Sequence, residues 1–244
     1  MAHGILEERL SHISTHWSLL QQMHSGPADA ATSTQRQLMQ RYCGAIHRYL
    51  LGALRDEDAA LELFQEFALR FLRGDFRRAN PERGRFRDYV RTALIRLVRK
   101  YHHERQSRPQ PLPYDCADPR PAVPEPADDE FIRSWREELV NRAWEALALA
   151  QPTFYAALLL RVQKPELPSP QLAVELAARV GRPFTATHVR VTLHRAREKF
   201  AELLLDEVAQ SLETSTEAEL VQELRELRLL QLCGSALRCR QSSY

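Results

Sequence analysis

Pro109, Pro111, Pro113, Pro119, Pro121, Pro124 and Pro126 crowd the stretch between Ser107 and Asp129, with acids among them and few apolar residues. Each ring fixes φ and removes a backbone donor, so neither a helix nor a paired strand can run through such a stretch. It favours extended polyproline conformations and buries too little surface to fold. The chain is therefore expected to be divided in two. Residues 31–108 and 130–205 form separate domains, each long enough for a core of its own, tethered by 109–129. Residues 1–30 form an N-terminal appendage and 206–244 a C-terminal tail.

Both domains read as all-α. The 244 residues contain only eight glycines, and no convincing alternation of apolar with β-branched residues supports a sheet. In the first domain helical spacing runs over 35–54, where Leu38, Tyr42, Ile46, Tyr49 and Leu50 share a face, and again over 56–72. These two helices should pair as a hairpin. Leu61, Phe64, Ala68 and Phe71 would be the core of the second. Core plus solvated face is the default reading, but Leu63 and Phe67 would lie off that stripe, and an exposed apolar flank ringed by acids is also how a protein-docking surface looks. Asn80-Pro81 breaks the pattern, and a third helix over 86–106 turns Phe86, Tyr89, Val90, Ala93, Leu97 and Tyr101 inward.

Charge is segregated along this framework. From Arg70 to Arg108 thirteen Lys or Arg stand against four acids, a net of +9; from Asp115 to Glu138 eight acids stand against three arginines, a net of −5. Nearly all the positive charge is arginine, lysine occurring only at positions 100, 164 and 199. Guanidinium suits bidentate contacts to phosphate and guanine, although a base composition favouring Arg codons would raise its share too. A basic helix face interleaved with aromatic residues fits nucleic acid: cations neutralise phosphates and rings stack on opened bases. The plain alternative is a solvated helix face.

The second domain opens with helices over 130–150 and 153–162. Two more follow, 171–180 stopping at Gly181, whose access to positive φ suits a C-cap, and another starting after Thr185, a good N-cap. The last of these would bury Val189, Leu193, Ala196, Phe200 and Leu203. Helix, short glycine turn, helix is the helix-turn-helix pattern, which lays its second helix in the major groove. Thr187, His188, Arg190, Val191, His194 and Arg195 lie off the buried stripe. Arg190 or Arg195 can pair with guanine, and Thr187 or Val191 can touch a thymine methyl. A hairpin used only for packing would have the same spacing. In the tail, Leu220, Leu224, Leu227 and Leu230 have helical spacing over 217–232, as a capping helix or the seat of a regulator.

Catalytic chemistry finds no foothold: the sequence has no glycine-rich phosphate loop, no His-Glu-x-x-His and no Gly-x-Ser-x-Gly. The expectation is a protein that is not an enzyme, with no cofactor and no metal. His102-His103 beside Lys100 and Arg105 is a solvated basic surface before it is a phosphate contact or a metal site. Cys43, Cys116, Cys233 and Cys239 fit no zinc or dense disulfide spacing, which suits a reducing cytoplasm. No apolar run is long enough to span a membrane, so no membrane insertion is expected, and the N-terminus lacks a signal-peptide layout.

The order of the parts (helical hairpin, basic aromatic helix, acidic Pro-rich linker, helix-turn-helix) resembles bacterial extracytoplasmic-function sigma factors. Asp58-Ala59-Ala60-Leu61-Glu62-Leu63-Phe64-Gln65-Glu66-Phe67 is similar to the family's polymerase-binding helix, with Phe64 where Thr or Val is usual. Pro81-Glu82-Arg83-Gly84-Arg85-Phe86-Arg87 followed by Tyr89 resembles the start of its promoter-melting segment, especially in the planctomycete-type branch, whose Thr-x-Trp-Ser start is matched by Thr15-His16-Trp17-Ser18. Glu175-Leu176-Ala177-Ala178-Arg179-Val180-Gly181 and Val189-Arg190-Val191-Thr192-Leu193-His194-Arg195-Ala196-Arg197 are similar to the −35-reading unit. Two departures stand out. Gly181-Arg182-Pro183-Phe184-Thr185-Ala186-Thr187 replaces a common Leu-Ser-x-x-x, and no break occurs in 85–106, where the family has a base-capturing loop.

The resemblance implies a sigma region 2-like domain and a sigma region 4-like helix-turn-helix domain, and a cytoplasmic sigma factor. Its partners would be bacterial RNA polymerase core, promoter DNA and a regulator such as an anti-sigma factor. Glu62, Gln65 and Glu66 would dock on the polymerase clamp helices. Arg85, Arg87, Tyr89, Arg91, Thr92, Arg96, Arg99 and Lys100 would hold the −10 strands, with Arg91, Thr92 and Arg96 as candidates for the flipped-base pocket. Thr187, His188, Arg190, Val191, His194 and Arg195 would read the −35 duplex. A helix-turn-helix repressor or activator that never joins polymerase is the competing expectation.

Overall fold

The computed structural model of the protein describes residues 30–73, 86–107, 128–212 and 216–241. Among the described residues every regular element is a helix: α1 (Ala30–Leu54), α2 (Glu57–Arg73), α3 (Phe86–Ser107), α4 (Asp128–Ala150), α5 (Pro152–Gln163), α6 (Ser169–Val180), α7 (Ala186–Ala209), α8 (Glu217–Glu226) and α9 (Leu230–Gln241). None is long and apolar enough to cross a membrane. The appendage, Arg85 and most of the proline-rich tether lie outside the described residues. The chain divides into two compact units between Trp135 and Arg136, inside α4.

In the first unit α1 packs on α2, and α3 lies against both. Arg55 makes the corner between α1 and α2 in the left-handed region (φ 52°), and its N–H donates to the Leu51 carbonyl at 2.9 Å. Asp56 then caps α2, its carboxylate accepting the Ala59 N–H at 3.2 Å. Tyr42, Ile46, Tyr49 and Leu50 of α1 are fully buried, as the spacing predicts. On α2 the buried stripe is Ala60, Leu63, Phe64, Phe67, Ala68 and Phe71, while Leu61 is half-buried. The expected exposed flank of Leu63 and Phe67 is therefore core: the stripe follows i, i+3, i+4, i+7 from Ala60, and Leu61 sits on its rim.

A similar rotation separates expectation from structure on α3. Val90, Leu94, Leu97 and Val98 are buried, whereas Phe86, Tyr89, Ala93 and Tyr101 flank them half-buried. The first two turns of α4, which the sequence assigns to the tether's end and the second domain, are packed in the first unit. Phe131 meets Tyr49 edge to face at 5.4 Å, Trp135 stacks on Tyr42, and Phe86 lies 6.4 Å from the Trp135 ring. Two aromatic residues four apart on one helical face gain by burial, while Asp128 and Asp129 beside them stay exposed.

The second unit contains the helix-turn-helix. Ala157 and Leu160 of α5, Leu172, Ala173 and Leu176 of α6, and Val189 and Leu193 of α7 form its core, with Leu167, Val180 and Phe184 packed on the edge. Beyond this cluster α7 buries Ala201, Leu204, Leu205 and Val208; Phe200 and Leu203 are half-buried, so the stripe lies one position on from the expected one. The cause is the tail, since α9 packs against α7. Tail spacing suggests one helix over 217–232, but Arg228 adopts φ 56° and separates α8 from α9. Leu220, Leu224, Leu227, Leu229 and Cys233 are buried around that corner.

Candidate nucleic-acid interface

The turn between α6 and α7 is built by two local devices. Gly181 sits in the left-handed region (φ 77°, ψ 18°) and donates its N–H to the Ala177 carbonyl at 2.9 Å, ending α6. Thr185 is extended, and its Oγ1 accepts the His188 N–H at 3.1 Å, starting α7. Val189, Leu193 and Ala196 then lock one side of α7 into the core. The opposite side is fixed by elimination: Thr187, His188, Arg190, Val191, His194 and Arg195 are all exposed. The sequence-predicted set thus shares one solvent-facing surface.

Its electrostatics are open to an anion. Arg190 donates to the Thr187 hydroxyl at 3.2 Å and contacts no carboxylate; Arg182, Arg195 and Arg197 make no hydrogen bond or ion pair among the described residues. His194 is the exception, 3.4 Å from Glu198. Arg182 and Arg197 are further exposed cations beside this set. Helical spacing is enough to find Arg197, which follows Arg190 by seven residues and His194 by three on the same face. Arg182 depends on the turn, where no periodicity applies.

The basic helix α3 is different, because much of its charge is already matched. Arg91 lies 2.5 Å from the Asp128 carboxylate, Lys100 lies 3.6 Å from both Glu66 and Glu104, and Arg105 lies 3.8 Å from Asp56. Thr92 donates its hydroxyl to the Asp88 carbonyl at 2.8 Å. Arg96 and Arg99 are exposed, and Tyr89 is half-buried, burial pushing its phenol upward against the opposing pull of Arg96. Arg87, expected among the strand-holding residues, is 5% exposed and lies within the buried stripe of α3. His102 has its pKa lowered, by burial and then by the neighbouring Arg105, which disfavours its charged form.

On α2, Glu62 and Gln65 project into solvent. Glu66 is half-buried and shared between Arg70 and Lys100. Its carboxylate is therefore occupied within the unit, while the Glu62 and Gln65 side chains are free of hydrogen bonds and ion pairs among the described residues. Among the described residues no group of three or more His, Cys, Asp or Glu is placed to hold a metal ion. Cys43 and Cys233 are buried and Cys239 is exposed. No protein-family model, no curated protein and no solved structure matches the chain.

Proposed function

We propose that this protein is a sigma factor, which binds bacterial RNA polymerase core and directs initiation at promoters bearing particular −35 and −10 elements. One observation carries the DNA-binding half of this reading. The helix-turn-helix exposes Thr187, His188, Arg190, Val191 and Arg195 together, with Arg190 and Arg195 unmatched by any carboxylate among the described residues. Such a face suits base edges in a major groove, each bidentate arginine contact being worth about 1–3 kcal/mol of discrimination.

The polymerase half is supported by the exposed Glu62 and Gln65 on α2 and by the sequence resemblance across both domains. In this reading α2 docks on the polymerase, while Arg96 and Arg99 on α3, with Tyr89, act on the opened −10 strands. Arg91 and Lys100 join them by exchanging carboxylates for phosphates. The protein itself performs positioning only, and the polymerase makes the RNA.

A second reading, a helix-turn-helix repressor or activator outside the polymerase, is favoured by a specific observation. The matched charges of Arg91 and Lys100 and the burial of Arg87 weaken the case for α3 on DNA and leave the second unit untouched. Transcription from a promoter library by core polymerase, with and without the protein, separates the two. The informative variant is the Glu62→Ala, Gln65→Ala double substitution, because it disturbs no ion pair. Initiation at one −35/−10 pattern, lost in the double variant, is the expected result. Tight duplex binding without any initiation would instead establish the repressor or activator.

A further inference from the structure

Phe184 lies at the bend between the two helices of the helix-turn-helix, half-buried against the core of the second unit. Two side chains rest on its ring. The guanidinium carbon of Arg182 is 4.8 Å from the ring centroid, and the His188 imidazole is 4.9 Å away at an interplanar angle of 34°. The backbone fixes both neighbours. Gly181 turns the chain just before Arg182 (φ 77°), Pro183 stiffens the link to Phe184, and His188 is held by its N–H bond to Thr185.

We propose that Phe184 is a positioning residue, and that the Arg182 guanidinium it holds is a contact for one phosphate diester of duplex DNA beside the groove-facing start of α7. This rests on the DNA-binding reading above. Arg182 is exposed and makes no hydrogen bond or ion pair among the described residues, so its N–H groups are available. Lys164 of the same unit, by contrast, is already matched by Glu175 at 2.6 Å. A guanidinium stacked on a ring keeps its N–H edge free while losing much of its rotational freedom before any ligand arrives. A lysine ammonium has no planar face with which to do this. Base reading by the exposed side chains of α7 then has a fixed register, since phosphate contacts set orientation and carry no sequence information.

The test uses the full chain and a duplex that it selects from a random-sequence library at low salt. Affinities of wild type, Arg182→Ala, Arg182→Lys, Phe184→Leu and Phe184→Tyr are then measured over a salt series. Arg182→Ala should weaken binding about 5- to 10-fold, equally for the selected duplex and for single-base variants of it, and lower the salt slope by about one. Arg182→Lys should recover only part of the affinity, Phe184→Leu should reproduce much of the Arg182→Ala loss, and Phe184→Tyr should bind as wild type. Thermal unfolding identifies any Phe184 variant that fails to fold, in which case the two Arg182 variants decide. If the wild type selects nothing, the DNA-binding reading fails and takes this proposal with it. Selection by the wild type with no change in Arg182→Ala overturns the phosphate contact alone, as does a loss confined to particular bases.

Discussion

The indole of Trp135 lies on the phenol ring of Tyr42, with centroids 4.3 Å apart and planes 13° from parallel. Both side chains are fully buried, and together with Phe86 and Phe131 they join the start of α4 to α1 and α3 within the first unit. This contact ties residues soon after the proline-rich stretch of sequence to residues nearly a hundred positions earlier. The first two turns of α4 therefore close this side of the first unit, and without them the Tyr42 ring would lose its stacking partner.

Trp135→Ala should cost roughly 3–5 kcal/mol of stability, the usual price of removing a large buried aromatic side chain. Trp135→Phe should cost much less, because the stack survives and the indole N–H, which has no hydrogen-bond partner among the described residues, is not missed. Urea denaturation followed by circular dichroism gives both values. Equal midpoints for Trp135→Ala and wild type would mean that α4 does not close this core.

Gly181 offers a cleaner test, since a Cβ placed there meets nothing within 4 Å. Any destabilisation by Gly181→Ala must then come from the left-handed backbone, about 1–2 kcal/mol for an L-residue at φ 77°. Asn tolerates this region better and should lose less. Chemical denaturation of the two variants should rank them glycine, asparagine, alanine; a neutral alanine would show that the turn relaxes to another conformation.

That turn was legible in sequence because it is local chemistry: a glycine that ends one helix and a threonine that begins the next act on neighbours a few residues away. The six exposed residues of α7 were legible for the same reason, since Val189 and Leu193 fix the helical phase. Farther along α7 the reading slipped from Leu204 and Leu205 to Leu203, because the partner there is α9, some thirty residues downstream. The burial of Arg87 is not legible, because an arginine within an apolar stripe looks like a surface cation in sequence. The pairing of Arg91 with Asp128 was invisible too, as no periodicity connects the basic helix to the far end of the tether.

The tail can be tested through its two cysteines. Both lie on α9: Cys233 is fully buried and its thiol is pushed up to about 12 by burial, whereas Cys239 is exposed. In a Cys43→Ala, Cys116→Ala background at pH 8, iodoacetamide should label Cys239 at least tenfold faster than Cys233, because only the thiolate attacks. The folded-state pKa is raised, so this thiol's contribution to stability is whole below its ordinary value of 9.0 and is lost as pH climbs toward about 12. Mass spectrometry of the peptides reads the order; equal labelling would place α9 off the core.

Asp128 bears on whether α3 meets DNA at all. Its carboxylate holds Arg91 while remaining 61% exposed, so the pair is screened by water and salt and contributes at most about 1 kcal/mol. A phosphate diester can compete for a guanidinium held so weakly, and removing the carboxylate removes the competitor. Asp128→Asn should leave the denaturation midpoint nearly unchanged and raise affinity for forked, partly single-stranded DNA about two- to threefold at low salt. The gain should vanish in an Arg91→Ala background and shrink as salt is raised, because it depends on one additional neutralised phosphate. Fluorescence anisotropy on the four variants of that cycle measures the coupling directly. An unchanged affinity in Asp128→Asn would mean that Arg91 serves only to hold the start of α4, and the remaining case for nucleic acid on this unit would pass to Arg96 and Arg99.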